Sequence, residues 1–132
     1  MTVVLDASAL LAWMIGEPGA EAVEKVLSEA IMSSANWSEV IQKSLARDAD
    51  VSNLRADLES LGLEIVAFDA EDAEQAAQMW AAGSGLSLAD RACLALARRR
   101  GVPAWTTDSQ WLRHASGAEV HLLRPGHRNV AT

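Results

Sequence analysis

Short apolar runs alternate with longer segments of mixed polarity along this chain. Five of the runs have the length of a β-strand and are enriched in β-branched or aromatic residues, which favours strands. The segments between them repeat apolar residues at helical spacing, which predicts about seven helices. Because strands that alternate with helices need crossover connections, the pattern predicts an α/β fold with a mainly parallel sheet. The predicted strands cover residues 2–5, 31–34, 63–68, 103–107 and 118–123.

Length and composition fit a single domain. The chain has 132 residues, 50% of them hydrophobic, and no linker, repeat or low-complexity segment divides it. We therefore expect one domain over residues 1–124, followed by a polar tail over 125–132. No apolar run is long enough to span a membrane, and the N-terminus lacks the basic start of a signal peptide. Cys93 is the single cysteine and has no internal disulfide partner, so we expect a reducing, cytoplasmic location.

The charge is distributed unevenly. The net charge is −7, but residues 1–90 hold 16 acidic and 4 basic side chains, whereas residues 91–132 hold 2 acidic and 7 basic ones. A basic C-terminal third permits contact with a phosphate backbone. Three consecutive arginines at the end of a predicted helix also suit the negative end of the helix dipole, so a purely structural role stays open. The candidate phosphate contacts are Arg91, Arg98, Arg99, Arg100 and Arg113.

Two acidic residues directly follow predicted strands. Asp6 ends the first strand and Asp108 ends the fourth. Ligands of open parallel sheets bind beyond the carboxyl ends of the strands, which makes both carboxylates candidates for a functional site. Aspartate is also a common N-cap, so each could simply begin the following helix. The hydroxyls of Ser8 and Thr107 stand beside these acids and could either orient them or cap helices.

A third acid lies in the stretch LSLADRACLALARRRG, residues 86–101. Ser87 and Asp90 have the spacing of a capping box at the start of a helix. Asp90 also points toward the apolar side of that helix, between Cys93 and Leu94, and has no basic residue one turn later. An unpaired carboxylate there is costly unless it is protonated or binds a cation. A cap and a functional site are both compatible with this pattern.

Glu39 is the fourth candidate. It has capping-box spacing from Asn36 and a possible ion-pair partner in Lys43, so a structural interpretation is sufficient for it alone. Carboxylates drawn from several segments nevertheless suit a hard divalent cation such as Mg²⁺. The sequence holds no Cys/His cluster for zinc, no phosphate-binding glycine loop and no nucleophile elbow.

Four motifs in this order carry a resemblance: VVLDASALLAWM, NWSEV, GLSLADRACLALA and AWTTDSQW. They resemble the PIN-domain ribonucleases, in particular the VapC toxins of bacterial toxin–antitoxin pairs, from Thr2 to about Leu123. The resemblance implies a PIN-like five-stranded sheet of order 3-2-1-4-5 with helices on both faces. It implies a pocket in which Ser8 and Thr107 support the acids. The catalytic acids that it implies are Asp6, Glu39, Asp90 and Asp108.

The implied activity is metal-dependent endoribonuclease cleavage, with Asp6, Asp90 and Asp108 holding Mg²⁺ or Mn²⁺. The implied partners are an RNA substrate, a cognate VapB-type antitoxin and a second copy of the chain in a homodimer. The tryptophans could line an antitoxin groove or a dimer interface, although core packing is the simpler expectation for each. They are Trp13, Trp37, Trp80, Trp105 and Trp111.

Two other classes of protein also place an acid after the first strand. A phosphotransfer domain of the haloacid-dehalogenase type requires a second aspartate at the position of Ser8. A phosphotransfer domain of the receiver type requires a lysine late in the chain. Lys25 and Lys43 are the only lysines, and neither follows a strand. A non-catalytic interaction module, in which the acids serve only as caps, is the third hypothesis.

Overall fold

A central parallel sheet organises residues 1–123, which are the residues that this computed structural model describes. The strand order is β3-β2-β1-β4-β5, and every neighbouring pair is parallel. The predicted fold and the order implied by the resemblance are therefore confirmed. The expected polar tail over 125–132 lies outside the described residues. The strands are β1 Val4–Leu5, β2 Ile31–Ser33, β3 Glu64–Val66, β4 Ala104–Thr106 and β5 Val120–Leu122.

Helices cover both faces of the sheet, and the sheet separates two apolar cores. Side chains alternate along β1, so Val3 and Leu5 join one core while Val4 joins the other. Within residues 1–123, no helix is long and apolar enough to cross a membrane. The helices are α1 Ala7–Ile15, α2 Ala20–Val26, α3 Ser34–Ala46, α4 Leu54–Ser60, α5 Ala70–Gln78 and α6 Leu88–Arg100, with 3₁₀ turns at Leu27–Glu29 and Ser109–Arg113.

Helix α6 passes through the interior beside β1 and β2. Its residues 92–97 are all buried, as expected for a helix without a polar face along its middle. Ser87 and Asp90 form the predicted capping box, and Gly101 ends the helix in the left-handed conformation at φ 65°. Because α6 precedes β4, its first turn lies at the carboxyl edge of the sheet and its last turn at the opposite edge.

Helix α3 begins earlier than the sequence predicted. Ser33 is its N-cap, and the Ser33 hydroxyl accepts a hydrogen bond from the Ala35 N–H at 3.2 Å. The proposed capping box from Asn36 to Glu39 is therefore wrong, because Asn36 is already inside the helix and fully buried. Among the ion pairs of the described residues, none joins Glu39 to Lys43.

Candidate active site

Asp6 is the most constrained of the four acids. Its backbone N–H donates to the Trp105 carbonyl at 3.1 Å, which extends the pairing of β1 with β4. Its Oδ1 accepts the Ala9 N–H at 2.8 Å as the N-cap of α1, and also the Ser8 hydroxyl at 2.7 Å. The residue is only 5% exposed. Asp6 is therefore both a helix cap and a carboxylate held in one orientation at the sheet edge.

Two hydroxyls connect Asp6 to the end of β4. The Thr106 hydroxyl donates to Asp6 Oδ2 at 2.6 Å and accepts the Asp108 N–H at 3.0 Å. The Ser8 hydroxyl accepts the Thr107 N–H at 3.0 Å. The hydroxyl expected from Thr107 is thus supplied by Thr106, which lies beside Asp6 in register and projects to the same face. Thr107 contributes its backbone instead, and Ser8 is where the sequence placed it.

Burial changes the acidity of Asp6. Loss of hydration raises the pKa of this carboxyl from 3.8 to about 6, although the hydrogen bonds from Thr106, Ser8 and Ala9 all favour the charged form. The negative charge of Asp90 adds to the increase. A carboxylate that gives up its proton near neutrality in this way is typical of functional sites.

Asp90 interacts both with Ser87, which caps its own helix, and with the charges of other acids. Its backbone N–H donates to the Ser87 hydroxyl at 3.0 Å, and its Oδ2 accepts the Ser87 N–H at 2.9 Å. Partial burial raises the pKa of the Asp90 carboxyl despite these bonds, and the charge of Asp108 raises it further. The capping box therefore fixes the orientation of Asp90 while its charge still acts on other acids at the sheet edge.

Asp108 and Glu39 are more accessible to solvent than Asp6. Asp108 is exposed and caps the following 3₁₀ turn, since its Oδ1 accepts the Gln110 N–H at 2.9 Å. Glu39 is half-buried in the second turn of α3. Asp108 is therefore the carboxylate that a solvent-borne ligand meets first.

Cys93 lies within electrostatic reach of three of the acids. The thiol is fully buried on α6, one turn after Asp90, and burial raises its pKa well above the usual value. The charges of Asp6, Asp90 and Glu39 raise the pKa further. The structure therefore brings together acids that are as many as 84 positions apart in the chain.

Asn36 is a site residue whose role the sequence did not reveal. Its side chain is 0% exposed, and its Nδ2 donates to the Ala89 carbonyl at 3.1 Å, directly before Asp90. Its Oδ1 has no hydrogen-bond partner among the described residues. Sequence spacing suggested a helix cap, and only the three-dimensional contact between α3 and α6 shows otherwise.

The arginines at the end of α6 lie far from the acids. Nine residues of helix separate Asp90 from Arg99, or about 14 Å. Arg99 binds Asp72 of α5 through two hydrogen bonds of 2.9 and 3.0 Å, and Arg98 binds a glutamine side chain of the same helix at 2.7 Å. Arg100 is exposed at the same end. The structure thus favours the structural interpretation of Arg98 and Arg99.

Three other cations lie nearer the acids. Arg91 follows Asp90, but its guanidinium donates to the Ala76 carbonyl at 2.9 Å and is half-buried. Arg113 is exposed in the 3₁₀ turn that follows Asp108. The charge of Lys43, also exposed, acts on Asp90 in the direction that lowers its pKa. Lys43 is therefore the exposed cation that the structure connects to the acids, while Arg113 is exposed five positions after Asp108.

The five tryptophans differ in how deeply they are buried. Trp111 is 0% exposed and Trp105 is 6% exposed, which confirms core packing for these two. Trp13 and Trp37 pack partly against the core, whereas Trp80 is 64% exposed after α5. A groove lined by all five is therefore wrong.

The donor set fits a hard divalent cation in an open site. Within residues 1–123, no three His, Cys, Asp or Glu side chains converge closely enough to enclose an ion by themselves. Mg²⁺ keeps several waters and commonly uses only one or two carboxylates together with substrate phosphate. Crowded carboxylates of raised pKa at a sheet edge are compatible with that mode of binding.

The sheet order and the acidic carboxyl edge together define an α/β domain whose candidate site lies beyond the carboxyl ends of its strands. The PIN domain profile matches residues 3–117. The chain therefore belongs to the PIN domain family, a family of nucleases. This membership favours nuclease activity over the phosphotransfer hypothesis. A comparison with curated protein sequences finds no significant match.

Solved structures share this fold. A chain of the toxin–antitoxin complex from Klebsiella pneumoniae matches with a TM-score of 0.71 at 19% identity, covering 92% of this chain and 98% of that one. A chain of the DNA-bound VapBC from Salmonella typhimurium matches with a TM-score of 0.68 at 18% identity, covering 94% of this chain and 99% of that one. A chain of FitAcB from Neisseria gonorrhoeae matches with a TM-score of 0.65 at 20% identity, covering 95% of this chain and 99% of that one. At these identities the likeness is one of fold.

Proposed function

We propose that this protein is a Mg²⁺- or Mn²⁺-dependent endoribonuclease and the toxin of a toxin–antitoxin pair. The observation that carries the proposal is the buried Asp6 carboxylate, held by Ser8 and Thr106 at an edge where burial, and to a smaller extent the charge of Asp90, raises its pKa. Asp6, Asp90 and Asp108 would hold the ion, with Glu39 beside them. When bound, the ion would polarise the scissile phosphate and favour deprotonation of the attacking water.

The side chains of this site have separate tasks in the proposed reaction. Ser8 and Thr106 orient Asp6, and Ser87 orients Asp90. Glu39 is the half-buried carboxylate that we assign to accept the proton of the attacking water. The water oxygen joins phosphorus, the bond from phosphorus to the 3′ oxygen breaks, and that oxygen takes up a proton. The products are a 5′-phosphate and a 3′-hydroxyl.

The biological assignment draws on the relatives that share the fold. Two of them are described as VapBC or toxin–antitoxin complexes, which supports a VapB-type antitoxin as the partner of this chain. RNA as the substrate, a homodimer, a cytoplasmic location and a domain ending near residue 124 belong to the same proposal. The exposed Arg113 and Lys43 would contact the RNA backbone more readily than the arginines at the far end of α6.

Cleavage of purified RNA tests the activity. Wild type should cut single-stranded RNA in Mn²⁺ or Mg²⁺, lose activity in a chelator and leave DNA of the same sequence intact. Asp6→Ala should abolish cleavage, whereas Asp57→Ala, which removes an exposed acid from α4, should not. Equal cleavage by the two variants would contradict the assignment.

Induction in cells tests the toxin role. Cleavage sites are mapped on total RNA after expression of wild type and of Asp6→Ala, and growth is followed in both cultures. Wild type should arrest growth and create new 5′-phosphate ends that are missing with Asp6→Ala. If Asp6→Asn combined with Asp108→Asn still arrested growth, the non-catalytic interaction module would be the better hypothesis.

A further inference from the structure

The amide of Asn36 makes a polar contact between α3 and α6. It joins positions 53 residues apart through a single hydrogen bond from Nδ2 to the Ala89 carbonyl. The side chain is completely excluded from solvent. Its Oδ1 has no partner in the part of the chain that the structure describes.

Stability does not account for an asparagine at this position. A buried amide with an unsatisfied oxygen is less favourable than an apolar side chain of similar size, because the oxygen has lost its hydration without a replacement. Helix α3 already packs against α6, and each helix is anchored by apolar side chains, Val40 of α3 in one core and Leu94 of α6 in the other. A polar group retained in such a place therefore needs a reason other than the strength of packing.

The position of the bond supplies that reason. Helix α3 carries Glu39 one turn after Asn36, and α6 carries Asp90 directly after Ala89. The capping box with Ser87 fixes Asp90 only with respect to its own helix. Apolar contacts between helices are non-directional, whereas a hydrogen bond of 3.1 Å fixes both distance and direction. Asn36 thus sets the first turn of α6 relative to the helix that bears Glu39.

We propose that Asn36 is a positioning residue that holds Asp90, a proposed ligand of the divalent ion, in a fixed place relative to Glu39. The inference rests on the proposed nuclease function. Groups that orient ligands indirectly often affect metal affinity by an order of magnitude. Removal of the amide should therefore weaken binding of the ion while leaving the fold as stable as before, or more stable.

The test compares Asn36→Leu and Asn36→Ala with wild type and with Ser44→Ala. Leucine fills the site without a donor, and alanine serves if leucine disturbs packing. Ser44 is a buried polar residue two turns further along the same helix, so its variant controls for loss of polarity in α3. Mn²⁺ affinity is measured by calorimetry. Thermal unfolding without metal and amide hydrogen exchange in residues 90–93 are measured on the same proteins.

The Asn36 variants should bind Mn²⁺ about 10-fold more weakly, with faster exchange confined to the first turn of α6. The melting temperature of Asn36→Leu should be equal to or above that of wild type, and Ser44→Ala should retain its Mn²⁺ affinity. Unchanged Mn²⁺ affinity in both Asn36 variants would overturn the proposal. If wild type itself neither binds Mn²⁺ nor cuts RNA, the proposed function fails separately. Unchanged exchange in residues 90–93 would then overturn the positioning role as well.

Discussion

At the scale of single residues, Asp6 shows two opposing effects on one carboxylate. Three hydrogen bonds favour its charged form, and burial disfavours it. Burial is the larger effect, so the pKa rises to about 6 rather than falling. The same hydrogen bonds that fail to keep the pKa low do fix the orientation of the carboxylate. Asp6 is therefore well placed to bind a cation and unfavourable for stability when no cation is present.

Asp6→Asn should stabilise the metal-free protein at neutral pH. Because the folded-state pKa is raised from 3.8 to about 6, the unfolded chain loses this proton first as pH increases. Stability is therefore lost between about pH 4 and 6, and the penalty at pH 7 is about 3 kcal/mol. Urea unfolding should show Asp6→Asn gaining up to that amount at pH 7, with the gain vanishing near pH 4. A gain independent of pH would contradict this account, and the exposed Asp57→Asn is the control.

Thr106→Val should raise the pKa of Asp6 further, since the Thr106 hydroxyl lowers it in the native protein. A hydrogen bond to a charged group contributes about 1.5 kcal/mol, which corresponds to about one pH unit. Carboxyl-carbon NMR titration without metal measures the pKa directly. Thr107→Val should leave it unchanged, because Thr107 contributes its backbone N–H. If Thr107→Val raised the pKa of Asp6 and Thr106→Val did not, Thr107 would be the residue whose hydroxyl orients Asp6.

At the scale of elements, α6 has a different task at each end. Its first turn presents Asp90 to the other acids, and its last turn pairs Arg99 with the buried Asp72 of α5. The hydrogen bonds that Arg99 donates to Asp72 raise the pKa of its already basic guanidinium, so the guanidinium stays charged under all ordinary conditions. The last turn of α6, which carries the arginines, thus docks against α5.

Arg99→Ala should therefore lower stability without affecting catalysis. The change leaves the Asp72 carboxylate buried and unpaired, which should cost about 2 kcal/mol. Cleavage per folded molecule should stay at the level of wild type, because Arg99 is about 14 Å from Asp90. Urea unfolding and steady-state cleavage are measured together, with the exposed Arg100→Ala as control. A fall in cleavage without loss of stability would instead support an RNA contact.

The sequence predicted elements better than it predicted contacts between them. The five strands and the capping box of α6 follow from local patterns, and both are present. The start of α3 was misplaced because Ser33, Ser34 and Asn36 can all cap a helix, and only tertiary burial of Asn36 decides among them. Thr106 and Thr107 are likewise equivalent in sequence. Their roles differ because the register of β4 against β1 points one side chain at Asp6.

At the scale of the whole molecule, the candidate acids lie at one edge of the sheet and the three arginines that end α6 lie at the other. This separation follows from the parallel order of the strands, which sends every carboxyl end to the same side. Mutual repulsion and burial of the acids weaken the metal-free fold, so binding of a cation and folding are linked.

Mn²⁺ should accordingly raise the melting temperature. An ion at 100 times its dissociation constant stabilises the native state by about 2.7 kcal/mol, or about 10 °C for a chain of this size. The increase should be reversed by a chelator and should be much smaller in Asp90→Asn, because one carboxylate of the site is gone. Differential scanning calorimetry measures the increase in melting temperature for wild type and for Asp90→Asn. An equal increase in wild type and Asp90→Asn would place the ion elsewhere.

The hydroxyl contacts between β1 and β4 also bear on when activity arises during synthesis. Asp6 is made at the beginning of the chain, but its partner Thr106 and the companion acid Asp108 follow about a hundred residues later. No hairpin can assemble this site early, since β1 and β4 are parallel and distant in sequence. A nascent or stalled chain that ends before β4 has no assembled centre. Under the proposed function, translation must therefore pass β4 before the chain can cleave RNA.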